Sequence, residues 1–375
     1  MNSTEMQGKT ASLEPAAKAA GLEGVVVADT RLSHVDGERG ELVIAGVRVE
    51  ALALDQAATF ETVAARLLEL GSGAPPPGLH AALAESRSAA FAVLGDLTRA
   101  LKLPDAMDAL LACVTQGSAG GDALAVLGAL PVYVAAGARQ RAGLPLIVPN
   151  PALGQAEDFL AMLGLPHSAA RVRALDAYWV TVSDHGLNAS TFAPRVVAST
   201  GSDVISCIAA ALGALKGPLH GGAPGPVLDM LDATQGTAPR AWLEAELAAG
   251  RRIMGIGHRI YRVRDPRALV FERALSRLAE EEGESAMLEA RLAHARRVEQ
   301  AAVTLLNERH PDRPLRANVE FYTALLLEAL AIPRALFTAT FAIGRCAGWL
   351  AHIDEQRRTG RLIRPASRYV GVLPA

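Results

Sequence analysis

Apolar residues recur at intervals of three and four positions along most of the chain from about residue 57 onward. This spacing places them on one face of a helix, as in residues 59–70, 86–101 and 285–308. Alanine and leucine are abundant and aromatic residues make up only 4% of the chain, which favours helices packed against helices. The sequence therefore predicts a mainly α-helical fold.

The strand-like segments lie near the N-terminus. Residues 25–27, three consecutive valines, and residues 42–49 are predicted to form two short strands around the turn-rich segment 36–40. Residues 71–78 contain three consecutive prolines and are predicted to form a loop. Together with a polar, loose lead over residues 1–20, this predicts a small N-terminal β-hairpin in front of the helices.

The composition changes near residue 221. Residues 223–327 are richer in glutamate and arginine and contain amphipathic helical patterns, whereas residues 336–350 are apolar again. This return predicts that residues 21–222 and 328–375 form a large helical domain. Residues 223–327 would then be a smaller inserted helical domain, with a cleft between the two.

Bulk properties exclude several classes of protein. A net charge of −2 excludes a strongly basic nucleic-acid binder. The longest uncharged stretches, such as residues 123–138, contain Pro131 and fall short of a membrane span, and the first twenty residues lack the apolar core of a signal peptide. Cys113, Cys207 and Cys346 show no CxxC spacing, which indicates reduced buried thiols. We expect a cytoplasmic protein with no nucleic-acid or membrane partner.

His220 precedes two glycines at a predicted helix start. The partial positive charge of a helix N-terminus lowers the pKa of a nearby histidine, and a neutral imidazole can donate a hydrogen bond to a developing enolate oxygen. The alternative is a loop histidine beside a glycine-rich cap.

His258 follows Gly255, Ile256 and Gly257, whose glycines would let the backbone come close to a ligand. A lone Gly-x-Gly is not specific. Arg267 follows an Asp-Pro pair that predicts a helix start, with aspartate as the cap and proline in the first turn. Taken alone, Arg267 could equally be a solvated arginine at a helix start.

Glu320 lies two residues after Asn318. One interpretation is a helix cap followed by an acidic residue in the first turn, which is a common stabilising pair. The other is a general base, whose carboxylate would need a pKa and a position suited to taking a proton from carbon.

Arginines downstream suggest an anion site, because a guanidinium group binds a carboxylate through two parallel hydrogen bonds. Arg345 lies in an apolar run, where a buried arginine demands an anionic partner. Arg364 lies in a predicted C-terminal tail. With His185, in the segment Asp184-His185-Gly186-Leu187-Asn188, these residues predict a site for a small polyanion beside proton-transfer groups. That combination indicates carbon–carbon bond chemistry on carboxylated substrates.

From about residue 21 to residue 371 the chain resembles the citrate synthase family, which includes the 2-methylcitrate synthases. Any one motif is weak, but all of them occur in the family's order. They are Asn188-Ala189-Ser190-Thr191-Phe192, Gly217-Pro218-Leu219-His220-Gly221-Gly222, Gly257-His258-Arg259, Asp265-Pro266-Arg267, Asn318-Val319-Glu320-Phe321-Tyr322 and Arg364-Pro365 leading to Tyr369-Val370-Gly371.

The resemblance implies a citrate synthase-like two-domain helical homodimer that closes over its substrates, oxaloacetate and an acyl-CoA. It implies condensation of acetyl-CoA with oxaloacetate, a reaction of the tricarboxylic acid cycle, with acetyl-CoA as co-substrate, no other cofactor and no metal. The catalytic residues that it implies are Glu320 as base, His220 on the thioester oxygen and His258 on the oxaloacetate carbonyl.

The resemblance also implies two sets of binding residues. The oxaloacetate carboxylates would be bound by His185, Arg267, Arg345 and, from the neighbouring subunit, Arg364. Coenzyme A would be held by Arg262 and by the backbone of Met254, Gly255, Ile256 and Gly257.

The sequence departs from the common family pattern at several positions. Glu320 stands where aspartate is common, which lengthens the arm of the base by one methylene; a misplacement of about 1 Å can cost roughly a hundredfold in rate. Gly186 stands where many relatives have glutamate, Ala45 where arginine is familiar, and Ala366 where a second arginine often follows.

Two alternatives therefore remain open. The first is a 2-methylcitrate synthase that uses propionyl-CoA, because one methylene in a pocket is worth only about 1–3 kcal/mol. The second is a catalytically weak paralogue that binds CoA or dicarboxylates for regulation. The retained histidines and arginines argue against the second alternative.

Overall fold

The structure is a computed structural model that describes residues 20–22, 24–117, 122–218, 220, 224–258, 260–282, 285–311 and 315–374. Contacts divide the chain into two units, Met1–Thr30 and Arg31–Ala375. The described part of the first unit contains a 3-10 turn, Ala20–Leu22, and no strand. The strand predicted at residues 25–27 is therefore wrong: the valines are exposed, and β-branched composition without a pairing partner does not make a strand.

The second unit opens with a small antiparallel sheet in the order β1 (Ser33–Asp36), β2 (Glu41–Ile44) and β3 (Val47–Arg48). The register pairs Ser33 with Ile44 and Asp36 with Glu41, so the turn predicted at residues 36–40 joins β1 to β2. The predicted hairpin is present, but its first strand lies later in the chain. The segment 42–49 is not one strand, because a two-residue turn separates β2 from β3 and a helix begins at Val49.

Apart from a second 3-10 turn at Arg334–Leu336, the remaining elements of the described chain are α-helices, which confirms the mainly α fold class. They are α1 (Val49–Leu54), α2 (Phe60–Ser72), α3 (Leu79–Ala92), α4 (Thr98–Leu101), α5 (Ala106–Gly117), α6 (Ala123–Arg141), α7 (Gln155–Leu163), α8 (Ala169–Val182), α9 (Ala189–Ser199), α10 (Val204–Lys216), α11 (Pro224–Ala233), α12 (Pro239–Ala248), α13 (Pro266–Glu282), α14 (Ser285–Arg309), α15 (Val319–Ala329) and α16 (Phe337–Thr359).

Helices with clear start signals match their predicted positions. Thr59 caps α2 by accepting the Thr62 backbone N–H at 3.2 Å, and α14 covers the segment predicted as a helix at residues 285–308. The single helix predicted at residues 86–101 is wrong. α3 starts earlier and ends at Ala92, and the turn that follows contains Gly95 and Asp96, which have low helix propensity.

The helix α6 is long and apolar enough to cross a membrane by length and composition. Its residues from Val126 to Gly137 are nevertheless all buried against other parts of the protein. The helix is therefore longer than the uncharged stretch at residues 123–138 indicated, and its burial makes it a core helix.

The helix α16 packs against α2, α6, α8, α9 and α10, and its buried run from Ala342 to Ile353 is as long as that of α6. Gly344 and Gly348 let it approach α8 closely. A Cβ atom on Gly344 would lie 2.7 Å from Trp179 Cδ1, and one on Gly348 would overlap the Ser183 carbonyl oxygen. This close approach places Arg345, between the two glycines, against the end of α8.

The helices α11–α15 occupy the segment predicted as an inserted domain, and α16 then packs against elements of the first half of the chain. The division of residues 31–375 into a large and a small domain with a cleft between them stays a prediction.

We expect Gly348→Ala to lower the free energy of unfolding by about 1–3 kcal/mol, because the added methyl group forces α8 and α16 apart. Urea denaturation followed by circular dichroism measures this change. Gly95→Ala is the control, since a Cβ there meets nothing within 4 Å. It should shift the value by less than about 0.5 kcal/mol, and an equally small effect at Gly348 would contradict the packing described here.

Candidate active site

A short backbone bridge joins the segment before His258 to the segment before Glu320. Ile256 and Ala317 form an antiparallel bridge, in which Gly257 N–H donates to the Arg316 carbonyl at 2.7 Å. Asn318 N–H donates to the Gly255 carbonyl at 2.9 Å, and Asn318 Nδ2 donates to the Gly257 carbonyl at 2.8 Å. We call this arrangement the 255–257/316–318 bridge. It fixes the two segments relative to each other.

Two glycines of the bridge adopt backbone conformations that favour glycine. Gly255 has φ of 76° and Gly257 has φ of 91°. A Cβ on Gly255 would also lie 2.9 Å from Val227 Cγ2 and 3.1 Å from Phe321 Cδ2. Glycine is therefore required here by the local fold, whether or not a ligand approaches the backbone. A role for Met254, Ile256 and these glycines in holding CoA stays a prediction.

His258 is held by the backbone that follows it. Its Nδ1 accepts the N–H groups of Ile260 at 3.0 Å and Tyr261 at 3.1 Å, which places the proton of the neutral ring on Nε2. Burial and the nearby charge of Arg267 lower the pKa of His258 to about 4. The ring is therefore neutral near pH 7, with Nε2–H free to act as a donor.

Arg267 is buried, so the interpretation as a solvated arginine is wrong. Asp265 accepts the Arg267 backbone N–H at 3.0 Å, and its carboxylate accepts the guanidinium Nε at 2.9 Å and Nη2 at 2.7 Å. The predicted Asp-Pro helix start is confirmed, because α13 begins at Pro266. Burial disfavours the Arg267 charge, but Asp265 more than compensates and raises the pKa of Arg267. The Nη2 atom also lies 3.4 Å from His258 Nε2.

His185 lies beside His258 and is bonded to a residue that the sequence motifs did not single out. Its Nε2 lies 3.0 Å from the hydroxyl oxygen of Tyr261, and both residues are buried. The Tyr261 ring is centred 4.8 Å from the His258 ring. Burial, followed by the charges of Arg267 and Arg345, holds the pKa of His185 well below its usual value. In the sequence, only the position of Tyr261, three residues after His258, could have indicated that it belongs to the site.

His220 is bonded to the start of α9. Its Nε2 lies 2.8 Å from Ser190 Oγ, and the Ser190 hydroxyl also lies 2.9 Å from Asn188 Oδ1, which caps α9 by accepting the Thr191 N–H. Burial, and then the charge of Arg345, lowers the pKa of His220 to about 4. The lowered pKa was predicted, but its physical cause differs from the one inferred from the sequence. The first described helical residue beyond His220 is Pro224, and Gly221 and Gly222 lie outside the described residues.

Arg345 is 1% exposed, and its guanidinium Nε donates to the Val182 carbonyl at the end of α8. Among the described residues no carboxylate lies within ion-pair distance of it. The acid whose charge acts on it, Asp184, is itself bonded to His352 at 3.2 Å. Burial lowers the pKa of Arg345 to about 10. The anionic partner that a buried arginine demands is thus left to a ligand.

Glu320 is the second residue of α15, and its backbone N–H donates to Asn318 Oδ1 at 3.1 Å. The capping interpretation is therefore correct for the backbone. The half-buried carboxylate forms no ion pair or hydrogen bond with side chains of the described residues. Burial raises the pKa of Glu320, and the charge of Arg267 opposes that shift. These properties suit a base that is not neutralised before its substrate arrives.

Two predicted arginines lie apart from this cluster in the single chain. Arg262 is exposed, with its Nε 3.9 Å from Glu38 Oε1 and its backbone N–H donating to the Gly37 carbonyl at 2.9 Å. Arg364 lies in the exposed C-terminal segment after α16. Entry of Arg364 into the site of a neighbouring subunit stays a prediction. Within the part of the chain that the structure describes, no group of three or more His, Cys, Asp or Glu side chains is placed to hold a metal ion.

Comparison with known proteins gives consistent results along the chain. A family model described as "Citrate synthase, C-terminal domain" matches residues 21–366. The chain is 36% identical to a citrate synthase from Haloferax volcanii, covering 94% of this chain and 95% of that protein. It is also 36% identical to a 2-methylcitrate synthase from Mycobacterium tuberculosis, covering 94% of this chain and 90% of that protein.

Solved structures agree with the sequence comparisons. The citrate synthase of Thermoplasma acidophilum, in a ternary complex with carboxymethyl coenzyme A and oxaloacetate, matches with a TM-score of 0.81. It is 27% identical, and the match covers 95% of this chain and 97% of that one.

The neutral histidines predict a dependence of stability on pH. The unfolded chain takes up their protons near pH 6.5, whereas native His220 and His258 take them up only near pH 4. Between these values the unfolded state binds more protons, so the free energy of unfolding should fall as the pH decreases from about 6.5 towards 4. Glu320, whose pKa is raised, opposes this trend.

Urea denaturation between about pH 4.5 and 7.5 measures the effect. His258→Gln should flatten the decrease, because glutamine does not titrate. Identical pH dependence in the wild type and this variant would contradict the depressed pKa of His258.

Proposed function

The chain belongs to the citrate synthase family, and from this membership we propose that it condenses acetyl-CoA with oxaloacetate and water to give citrate and CoA. Enzymes of this family are acyltransferases that convert the acyl group into an alkyl group on transfer. The observation that carries the proposal is the pairing of an unneutralised carboxylate, Glu320, with two buried guanidinium groups and three neutral imidazoles. The structure of the Thermoplasma acidophilum relative with oxaloacetate and a CoA analogue supports the choice of substrates.

In the proposed reaction, oxaloacetate binds between Arg345 and Arg267. One of its carboxylates becomes the anionic partner of the Arg345 guanidinium group, and His185 contributes a further polar contact. The ketone oxygen accepts a hydrogen bond from His258 Nε2–H, whose direction is set by the two backbone N–H groups on Nδ1. This hydrogen bond polarises the carbonyl carbon for attack.

Glu320 then removes a proton from the methyl group of acetyl-CoA, and the C–H electron pair forms the enol. A thioester α-proton is weakly acidic, so a donor aimed at the thioester oxygen has to stabilise the developing charge. His220 supplies that donor through Nδ1–H in the tautomer whose Nε2 accepts the Ser190 hydroxyl, and in that tautomer the hydroxyl turns from Asn188 Oδ1 to His220. The enol carbon attacks the ketone carbon of oxaloacetate, and the ketone oxygen gains a proton to become the hydroxyl of the product, which balances the proton that Glu320 removed. Water then hydrolyses the resulting thioester to release CoA.

CoA binding and assembly complete the proposal. Arg262 is exposed and available to a CoA phosphate, beside the backbone of Met254, Gly255, Ile256 and Gly257. The C-terminal segment exposes large apolar side chains such as Val370 and Val372, at 83% and 92%. Exposed apolar surface of this kind favours contact with another chain. We therefore propose a cytoplasmic homodimer in which Arg364 enters the neighbouring site.

The departures from the common family pattern are compatible with activity. Gly186 adopts φ of 61°, and its N–H donates to Ser33 Oγ at 2.9 Å, so this position has its own local geometry. Ala45 is buried in the turn between β2 and β3. Glu320 has a raised pKa and no competing ion pair among the described residues, which a residue retained only for binding would not need.

The equal identity to a citrate synthase and to a 2-methylcitrate synthase makes propionyl-CoA the second candidate substrate. Release of CoA by the purified protein with oxaloacetate should therefore be measured with both thioesters. We expect turnover with acetyl-CoA and a higher kcat/KM than with propionyl-CoA. A reversed ratio would assign 2-methylcitrate synthesis, and no release with either thioester would contradict both reactions.

Glu320→Gln should lower kcat by at least about a hundredfold, because an amide cannot take the proton. The dissociation constant of oxaloacetate should stay nearly unchanged. Glu328→Gln, on the same helix but paired with Arg291 near the surface, is the control and should keep its activity. Full activity in Glu320→Gln would rule out the role of Glu320 as base.

A further inference from the structure

The hydroxyl group of Tyr178 is fully buried and forms no hydrogen bond with the described residues. Leaving a buried hydroxyl without a partner is unfavourable, so such a group needs an explanation. Phenylalanine would fill the same space without that cost. Two other buried tyrosines near the site are bonded, Tyr261 to His185 at 3.0 Å and Tyr322 to Glu299 at 2.5 Å.

Tyr178 lies on α8 between the two helices that carry the buried arginines, since α8 packs against both α13 and α16. Its ring contacts the Phe271 ring, with centroids 5.3 Å apart, and Phe271 is one helical turn after Arg267. Val182, one turn after Tyr178, accepts the hydrogen bond of Arg345. The helical spacing thus places Tyr178 on the face of α8 that meets both guanidinium-bearing turns.

The electrostatic surroundings of the phenol agree with this placement. Burial raises the pKa of Tyr178 above its usual value, and the charges that act on it are those of Arg345, Glu320 and Arg267, in that order. The phenol therefore stays protonated and can donate. Neither guanidinium group can accept a hydrogen bond, so the donor remains unsatisfied until an anion binds.

We propose that Tyr178 is a further substrate-binding residue, whose hydroxyl donates a hydrogen bond to the oxaloacetate carboxylate bound by Arg345. This inference rests on the proposed function. It explains the missing partner of the hydroxyl, since neither Tyr178 nor Arg345 has a negatively charged acceptor among the described residues. It also gives that carboxylate a second donor residue beside Arg345. This favours binding of a dicarboxylic acid over a keto acid that lacks this carboxylate.

Tyr178→Phe tests the proposal. The variant removes a buried hydroxyl that has no partner among the described residues, so its Tm should be equal to or above that of the wild type. The dissociation constant of oxaloacetate, measured by titration calorimetry without CoA, should rise roughly 10- to 100-fold. The dissociation constant of CoA should not change. Tyr133→Phe, the same chemical change in α6, is the control and should leave both constants unchanged.

The outcomes separate this inference from the proposed function. If the wild type does not bind oxaloacetate, the proposed function fails. If the wild type binds it and Tyr178→Phe binds equally well, the function stands and the role of Tyr178 is overturned. A lower Tm with weaker binding of both ligands would show a structural role and would also overturn it.

A double-mutant cycle tests whether both residues bind the same carboxylate. Arg345→Lys combined with Tyr178→Phe should weaken oxaloacetate binding by a factor that differs from the product of the two single effects. Strictly multiplicative effects would overturn the assignment of Tyr178 to the carboxylate that Arg345 binds.

Discussion

The burial of positive charge without an equal number of paired carboxylates is the constraint on which the rest of the site depends. Arg267 is neutralised by Asp265, whereas Arg345 donates to the Val182 carbonyl, lies over the Phe341 ring at 4.7 Å and feels the charge of Asp184, with no carboxylate paired to it among the described residues. A buried guanidinium group without a paired carboxylate is tolerated when the surrounding structure holds it in place and a bound ligand supplies the anionic partner. Here the structure that holds it is the close contact between α8 and α16.

The same buried charge sets the protonation of its neighbours. Desolvation, with the fields of Arg267 and Arg345, keeps His185, His220 and His258 neutral, so that they can donate hydrogen bonds without repelling the arginines. Glu320 is affected in opposite ways, because burial raises its pKa and Arg267 lowers it. Burial is the larger of the two effects, so the pKa of Glu320 is raised and its carboxylate is a stronger base than an exposed one.

Local patterns in the sequence predict much of the fold but less of the site. The helical pattern over residues 59–70 and the Asp-Pro start of α13 are short-range signals, and the structure confirms both. The position of β1 depends on strand pairing, which a local pattern does not contain, whereas the break after Ala92 coincides with Gly95 and Asp96, a local signal that the apolar spacing masked. The nearness of His258 to Glu320 comes from the 255–257/316–318 bridge, between segments about sixty residues apart. Tyr178 could not be singled out, because its position fits an ordinary buried helix.

The central claim is that the site is preorganised with neutral imidazoles, and that the tautomer of His258 is fixed before substrate binds. Nitrogen-15 NMR of histidine-labelled protein, assigned with His220→Gln and His258→Gln, measures this directly. The account predicts that both rings stay neutral from neutral pH down to about pH 5, with His258 protonated on Nε2 and unprotonated on Nδ1. Resonances that titrate near pH 6.5, or a His258 ring protonated on Nδ1, would contradict it.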